Sequence, residues 1–253
     1  MRALALAVFL LALPARAEAP RKTLAVAAAA NLKDAAEALT QAFEAAHPGV
    51  EVQLTLGASG TFFSQLRNGA PFDVFLSADR EYPRRLVLAG LGTTADERVY
   101  ALGRLVAWLP PGSTLDLEKR GLQALADPAV RHIAIANPAV APFGRAAMAA
   151  FAAAGVEAAV KEKLVLGTSV AQAAQFATTG AAEVAFLPAS LVLGPALAGG
   201  RVVPVPEALT GRLEQSALVL AGAKEPALAR AFVAFLTGAE GRGILAARGY
   251  GLP

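Results

Sequence analysis

The chain has 253 residues, of which 23 are Lys or Arg and 20 are Asp or Glu, so its formal net charge is +3. It contains no cysteine, which excludes a disulfide framework and a lipid-attachment cysteine. The basic residues are scattered and never form a run longer than a pair, so a nucleic-acid-binding surface is not expected. At this length the chain can form one large domain or two smaller ones.

The first 17 residues have the pattern of a secretory signal peptide. Arg2 supplies a short positive region, residues 3–13 form an apolar run, and Ala15-Arg16-Ala17 matches an A-x-A cleavage site. The apolar run is too short to span a bilayer as a helix. The 23 basic residues less Arg2 and Arg16 leave 21 against 20 acidic ones, a net charge of +1 after cleavage. We therefore predict an exported protein that is soluble in the periplasm.

The first strand and helix set the pattern for the chain. Residues 23–28 have the composition of a short buried strand, and apolar residues then recur at helical spacing from Leu32, so a helix is predicted to begin near Asn31. Asn is a favourable cap at a helix start, where the first backbone N–H groups have no intrahelical partner. Such a junction can bind an anion, or its amides can simply contact water. This stretch alone leaves both interpretations open.

Strands and helices alternate along the rest of the chain. Further strands are predicted at 49–56, 72–76, 99–109, 131–136, 163–166, 183–187, 202–205 and 216–220. Further helices are predicted at 62–69, 81–89, 121–126, 143–154, 170–177, 226–236 and 241–247. Strands that alternate with helices across short loops indicate a parallel sheet covered by helices, which is an α/β fold.

The alternation falls into two blocks, which are expected to form two lobes. Lobe 1 is predicted to contain residues 18–101 plus 221–253, and lobe 2 residues 102–220. The strands at 99–109 and 216–220 would connect the blocks, with Gly103 as a candidate pivot. Two α/β lobes joined by two crossings form a hinged clamshell, and ligands of open α/β sheets bind at the carboxyl ends of the strands.

Four junctions between a strand and a helix share one composition of small or hydroxyl residues. They are Ala29-Ala30-Asn31, Ala58-Ser59-Gly60-Thr61, Ala141-Pro142-Phe143-Gly144 and Gly167-Thr168-Ser169-Val170. Two lie in each block, so four helix N-termini converge on one cleft if the lobes face each other. Their amides, with the side chains of Asn31 and Ser59, could surround a small dianion without a fixed positive charge. A site built only of donors favours a fully deprotonated tetrahedral ion.

No catalytic set is apparent in these junctions. Ser59 is not in a G-x-S-x-G elbow, and His47 and His132 are predicted to be surface residues that are poorly placed to act as its base. Lys33 and Arg145 follow two of the junctions, and a solvated first-turn position is the favoured interpretation for each. The residues themselves leave open a receptor for another anion such as sulfate, an exported serine hydrolase that uses Ser59, and a structural or adhesion module.

Four segments carry a resemblance to a known family. They are Val-Ala-Ala-Ala-Ala-Asn-Leu-Lys-Asp-Ala at 26–35, Gly-Ala-Ser-Gly-Thr at 57–61, Asn-Gly-Ala-Pro-Phe-Asp-Val-Phe-Leu-Ser-Ala-Asp at 68–79 and Arg-Gly-Tyr-Gly-Leu at 248–252. With them the chain resembles the periplasmic molybdate-binding proteins of ABC importers. The resemblance implies the two-lobe, type II periplasmic binding-protein fold with the ligand in the interlobe cleft. It implies a receptor for molybdate or tungstate and not an enzyme, with no cofactor and no metal bound other than as its oxyanion.

The resemblance assigns the oxyanion site to Asn31, Ser59, Phe143, Val170 and Ala30. Asn31 occupies the position where family members use Ser or Asn, and Ser59 matches a serine that donates from its hydroxyl and its amide. Val170 matches a position that donates its backbone amide, and only the amide of Phe143 can contribute.

Two positions depart from the family pattern. Ala30 stands where some members have Thr, and Pro188 stands where some have a Tyr whose hydroxyl donates, so the donor set is smaller here or is completed by amides. The resemblance also implies a membrane permease as the partner, and we expect a monomer that does not bind nucleic acid. Molybdate and tungstate have nearly equal size and charge, so the sequence does not separate them.

Overall fold

The computed structural model describes residues 21–253, so the predicted signal peptide at 1–17 lies outside the described residues. The described strands form two five-stranded sheets. The first sheet contains β1 (Lys22–Ala29), β2 (Val50–Gly57), β3 (Val74–Ser77), β4 (Glu97–Gly103) and β10 (Leu213–Val219), in the order β2-β1-β3-β10-β4. The second contains β5 (Leu105–Leu109), β6 (Ile133–Ala136), β7 (Leu164–Gly167), β8 (Val184–Pro188) and β9 (Arg201–Pro204), in the order β7-β6-β8-β5-β9.

Helices pack on both sheets, which confirms the predicted α/β architecture. Those on the first sheet are α1 (Lys33–Ala46), α2 (Ser59–Arg67), α3 (Glu81–Leu88), α10 (Pro226–Thr237) and α11 (Ala239–Ala247). The others are α4 (Leu117–Arg120), α5 (Pro142–Ala153), α6 (Glu157–Val160), α7 (Val170–Thr178), α8 (Ala189–Val192) and α9 (Glu207–Thr210). Short 3₁₀ turns lie at Ala30–Leu32, Thr94–Asp96, Gly121–Ala126, Lys161–Lys163 and Pro195–Leu197. We call the first sheet with its helices the first lobe, and the second sheet with α4 to α9 the second lobe.

The two sheets present the same arrangement at one edge. β1 runs parallel to β2 and β3, and β6 runs parallel to β7 and β8. The register places Ala29 beside Gly57 in the first sheet and Ala136 beside Gly167 in the second. Four parallel strands therefore end at matching levels, and each leads into one of the four predicted junctions. This is the edge at which open α/β sheets bind ligands.

The crossing between the lobes differs from the predicted strand at 99–109. The chain forms two strands there, β4 in the first sheet and β5 in the second, with a break at Arg104. A Cβ added at Gly103 would lie 2.8 Å from the Phe143 ring and 2.9 Å from Gln215 Nε2. Glycine allows the chain to leave the first sheet through this crowded position.

The second predicted crossing, at 216–220, also differs. These residues belong mostly to β10, which pairs antiparallel with β3 and β4 inside the first sheet. The predicted lobe 2 range of 102–220 therefore includes the end of β4 and all of β10, both of which belong to the first sheet. The lobe boundary was misplaced because β10 is buried like a central strand of either sheet. Its hydrophobic pattern therefore does not show which sheet it joins.

Each lobe has a core of its own, and the first lobe has apolar layers on both faces of its sheet. The terminal helices pack there, with Phe232 of α10 edge-on to Phe43 of α1 at 5.0 Å between ring centroids. In the second lobe the Trp108 ring is buried in the core and its indole N–H donates to the Leu197 carbonyl at 2.9 Å. These buried clusters include the junction residues Ala29, Ala30, Ala141, Phe143 and Val170.

Candidate functional site

The predicted site residues of both lobes line one small cavity. Its wall consists of Ala29, Ala30, Asn31, Gly57, Ala58, Ser59, Ala78, Ala141, Pro142, Phe143 and Val170, none of which is charged. The cavity is small: the space open to the centre of a water-sized sphere is about 10 Å³, which is near the minimum for one water molecule. All four predicted junctions, and all five residues assigned by the family resemblance, therefore meet at this place.

Asn31 lies in the turn Ala30–Leu32 and is 1% exposed. The prediction that its side chain caps the helix is wrong, because the amide is used in tertiary contacts and no capping hydrogen bond forms. Its Nδ2 donates to Gln215 Oε1 at 2.9 Å and to the Tyr250 hydroxyl at 3.0 Å. Its Oδ1 is buried without a protein partner. In this arrangement both N–H groups of Nδ2 have acceptors within the protein, whereas Oδ1 has no donor.

Ser59 begins α2 and is 1% exposed. Its Oγ accepts a hydrogen bond from the Ala78 amide at 3.0 Å. Because the oxygen is the acceptor in that bond, the single hydroxyl hydrogen remains available to a ligand in the cavity. The Ser59 backbone amide lies in the first turn of the helix, where it has no intrahelical partner. Ser59 can therefore present two donors.

The second lobe contributes helix starts and no polar side chain. Phe143 lies in the first turn of α5 after Pro142, and Val170 is the first residue of α7. Both side chains are buried in the core of the second lobe. Their amides have no intrahelical acceptor, and the N-terminal end of each helix carries partial positive charge. Both residues line the cavity together with Asn31 and Ser59 of the first lobe.

Gly144 fixes the position of the α5 start. A Cβ at this residue would collide with the Ala136 carbonyl oxygen at the end of β6 and would lie 3.0 Å from Pro138 N. Only glycine lets the first turn of α5 lie this close to the strand that precedes it. The sequence pattern placed Gly144 in the junction without showing this role.

Comparison with known proteins identifies the family. A model described as bacterial extracellular solute-binding protein matches residues 24–251. The chain belongs to this family. Its relatives include the molybdate-binding protein ModA of Azotobacter vinelandii, 40% identical over 229 residues, which are 90% of this chain and 89% of that protein. ModA of Rhodobacter capsulatus is 37% identical over 240 residues, 95% of this chain and 91% of that protein. The resemblance predicted from the sequence is confirmed, and these relatives are named as binding proteins.

Solved structures confirm the type II periplasmic binding-protein fold of this solute-binding protein. The Azotobacter vinelandii periplasmic molybdate-binding protein superposes with a TM-score of 0.83 at 32% identity, covering 91% of this chain and 99% of that one. The sulfate-binding protein SubI of Mycobacterium tuberculosis superposes with a TM-score of 0.78 over 91% of this chain and 86% of that one, at 20% identity. The second likeness shows the fold alone, so the fold does not choose between these anions.

A buried polar network behind Asn31 was not predicted from the sequence of this solute-binding protein. The Tyr250 and Ser190 hydroxyls donate to the Asn31 carbonyl at 2.8 and 3.1 Å, and the Tyr100 hydroxyl donates to Gln215 Oε1 at 3.0 Å. Burial raises the pKa of both tyrosines, so both hydroxyls stay protonated at neutral pH. Ser190 belongs to the second lobe, two residues after Pro188, and so ties the lobes together at the site.

A second set of contacts, which we call the clasp, joins the lobes beside the cavity. It consists of Arg145, Asp79, Tyr82, Gly60 and Val140. Arg145 forms an ion pair with Asp79 and donates to the Tyr82 hydroxyl at 3.0 Å. The Gly60 amide donates to the Val140 carbonyl at 2.8 Å. The interpretation of Arg145 as a solvated first-turn residue is therefore wrong, because the opposite lobe supplies a carboxylate that covers it.

Asp79 titrates abnormally within the clasp. Burial raises its pKa above 3.8, and the Tyr82 amide, the Ser77 hydroxyl and Arg145 counteract only part of that rise. The carboxylate accepts from the Tyr82 amide at 3.2 Å, in the first turn of α3. Among residues 21–253 no group of three or more His, Cys, Asp or Glu is placed to hold a metal ion.

Proposed function

We propose that this protein is the receptor of an ABC importer and captures molybdate or tungstate in the cavity between its lobes. The observation that supports this most is that residues from four separate junctions, two in each lobe, form one small uncharged cavity. The relatives that are 40% and 37% identical over most of the chain are named for molybdate binding.

The available donors suit a fully deprotonated tetrahedral oxyanion. The Ser59 hydroxyl and amide approach from the first lobe, and the amides of Phe143 and Val170 approach from the second. Hydrogen bonds from fixed N–H groups at helix starts stabilise an anion without a counter-charge. A protonated oxyacid would direct its own hydrogen at these donors, so the site would bind it less well. No cofactor and no metal ion other than that of the oxyanion is needed.

The same proposal includes the place and the partners of the protein. The receptor would act in the periplasm as a monomer and deliver the ion to a membrane permease. In the described residues no helix has the length and apolarity needed to cross a membrane. The two lobes would close on the ion, since neither lobe alone supplies all the donors.

The serine hydrolase alternative lacks a base for Ser59. His47 Nδ1 lies 2.9 Å from the Phe43 carbonyl, and His132 Nδ1 lies 3.7 Å from Glu183, so both histidines are engaged elsewhere. The Ser59 Oγ is held by the Ala78 amide instead of a histidine. A serine with no base to take its proton is suited to binding and not to nucleophilic attack.

Calorimetric titration of the mature protein with molybdate, tungstate, sulfate and phosphate tests the proposal. We expect tight binding of the first two ions and weak competition by sulfate, because a smaller ion lies too far from fixed amides to receive all their hydrogen bonds. Solution scattering should show a smaller radius of gyration with molybdate. Equal affinity for sulfate and molybdate would favour a receptor for another anion, and no binding of any of the four would refute the assignment.

A further inference from the structure

Two buried amides behind the cavity each leave one atom without a partner. Asn31 Nδ2 donates to Gln215 Oε1, whereas Asn31 Oδ1 and Gln215 Nε2 make no hydrogen bond. Gln215 is fully buried and Asn31 is 1% exposed, so bulk water compensates neither atom. Leaving a buried polar atom unpaired is costly. In both residues a half-turn of the terminal torsion would exchange the positions of the oxygen and the nitrogen.

We propose that Asn31 and Gln215 form a coupled amide switch, in which Gln215 positions Asn31 for the anion. The inference rests on the proposed function. In the structure Asn31 directs its NH₂ group at Gln215 and Tyr250, and we assign this arrangement to the protein with no anion in the cavity. With an oxyanion in the cavity both amides turn over together, so that Asn31 Nδ2 donates to the anion and Asn31 Oδ1 accepts from Gln215 Nε2. Turning one amide alone would bring two oxygens or two NH₂ groups together, and that repulsion couples the pair.

The hydroxyl beside Gln215 can serve both arrangements. The Tyr100 oxygen lies 3.0 Å from Gln215 Oε1 and 3.4 Å from the Ser77 carbonyl. After the turn it accepts from Gln215 Nε2 and donates to Ser77. A hydroxyl has one hydrogen and two lone pairs, so this exchange of roles needs only a rotation of the O–H bond.

The hydroxyls beside Asn31 can do the same. The Tyr250 oxygen lies 3.0 Å from Asn31 Nδ2 and 2.8 Å from the Asn31 carbonyl. Ser190 also donates to that carbonyl, at 3.1 Å. Tyr250 can therefore redirect its hydrogen to Asn31 Oδ1 after the turn, while Ser190 keeps the carbonyl satisfied.

The number of unpaired atoms decides which arrangement an anion selects. In the ligand-free protein each arrangement leaves two amide atoms unpaired. With an anion bound, the turned arrangement leaves only Gln215 Oε1 unpaired. The unturned arrangement leaves both Gln215 Nε2 and Asn31 Oδ1 unpaired, and it presents the partial negative charge of Asn31 Oδ1 to the ion. The anion therefore shifts the pair to the turned arrangement by its differential interaction with the two.

Side-chain amide NMR of the ¹⁵N-labelled mature protein tests the switch directly. Without ligand the Asn31 NH₂ protons should show contacts to the Tyr250 ring. Saturation with molybdate should remove those contacts and create new ones between the Gln215 NH₂ protons and the Tyr100 ring. Persistence of the Asn31–Tyr250 contacts in the saturated protein would overturn the switch and leave the proposed function standing. If the protein did not bind molybdate at all, that result would refute the proposed function on which the switch rests.

Two variants separate positioning from packing. Gln215→Glu presents only oxygens at neutral pH, so it should hold Asn31 unturned, keep the Asn31–Tyr250 contacts with molybdate present, and weaken binding ~10–150-fold. Gln215→Met removes the partner but leaves Asn31 free to turn, so its loss should be several-fold smaller. Equal losses in the two variants would indicate a packing role only, and unchanged affinity in Gln215→Glu would overturn the proposal.

Discussion

The two lobes form opposite walls of the same cavity with different kinds of hydrogen-bond donor. The first lobe supplies polar side chains, Asn31 and Ser59, which are oriented by buried hydrogen bonds to Gln215 and Ala78. The second lobe supplies backbone amides, and the side chains of Phe143 and Val170 belong to its apolar core. A side-chain donor is lost by a single substitution, whereas an amide donor is lost only when its helix moves. The same kind of mutation should therefore have opposite effects on affinity and stability in the two lobes.

The largest effect is expected from Gly144→Ala in the second lobe. The added methyl would collide with the Ala136 carbonyl oxygen, so α5 must shift and carry the Phe143 amide out of position. We expect molybdate affinity to fall by at least ~100-fold, since the shift displaces the Phe143 donor, worth about 1.5–3 kcal/mol toward a charged ligand, and also the part of the cavity wall formed by Ala141 and Pro142. The matched control is Gly243→Ala in α11, where a Cβ would meet nothing within 4 Å. Calorimetry that gave equal affinities for the two variants would contradict the role assigned to Gly144.

The next effect is expected from Ser59→Ala in the first lobe. The substitution removes one donor and leaves the Ala78 amide without its acceptor, while the helix keeps its place. Affinity should fall by about 1.5–3 kcal/mol, the range for a hydrogen bond to a charged partner. Ser64→Ala is the control, because that hydroxyl lies in the same helix but donates to the Gly60 carbonyl. If calorimetry found unchanged affinity in Ser59→Ala, Ser59 would be removed from the site.

A smaller effect on affinity is expected from the clasp. Arg145→Met removes the ion pair with Asp79, and Arg84→Met on the exposed face of α3 is its control. We expect an affinity loss of about 1 kcal/mol, near the upper end for partly exposed pairs, and a larger radius of gyration in solution scattering with molybdate. A variant that closed and bound as tightly as the wild type would show that the clasp does not contribute to closure.

The same substitution should change the pH dependence of stability. Because the folded pKa of Asp79 lies above 3.8, its protonated form is favoured in the folded state. The stability it contributes is fully present below pH 3.8 and is lost as the pH rises through the raised pKa. Arg145→Met removes a charge that lowers this pKa, so the loss should extend to higher pH. Urea unfolding at a series of pH values measures this, and Asp79→Asn, which cannot titrate, should lack the loss altogether.

The comparison also explains which parts of the site the sequence could predict. Ala30, Asn31, Ser59, Phe143 and Val170 lie in short contiguous junctions, where strand ends and helix starts are visible in the local pattern. The network behind Asn31 joins it to residues 159, 184 and 219 positions away in the chain. No local periodicity carries such contacts, and they depend on how β10 and the C-terminal segment pack. The Tyr of the Arg-Gly-Tyr-Gly-Leu segment was the one available signal.

The errors at the crossings have a related cause. Residues 99–109 are apolar apart from Gly103 and Arg104, so their pattern resembles one strand although the chain changes sheets at Arg104. Which sheet a strand joins is decided by tertiary packing, in this case the crowding of Phe143 and Gln215 around Gly103. Fold class could therefore be predicted from local patterns, whereas the lobe boundaries could not.

The smallest effect on affinity is expected from Val170→Ala. This variant tests most directly whether the second lobe contributes through its backbone amides and not through its side chains. The proposed donor at this residue is its amide, which the substitution leaves in place at the start of α7. Affinity should change by less than about threefold, or ~0.6 kcal/mol. The side chain is 6% exposed, so its truncation should still lower the free energy of unfolding by up to about 1.5–3 kcal/mol, the value of burying a whole valine side chain. Urea unfolding and calorimetry on one preparation measure both quantities. Ser59→Ala should show the reverse ratio, with the larger loss in affinity. If Val170→Ala lost affinity as Ser59→Ala does, the second lobe would contribute through its side chains, and the difference between the two walls would not hold.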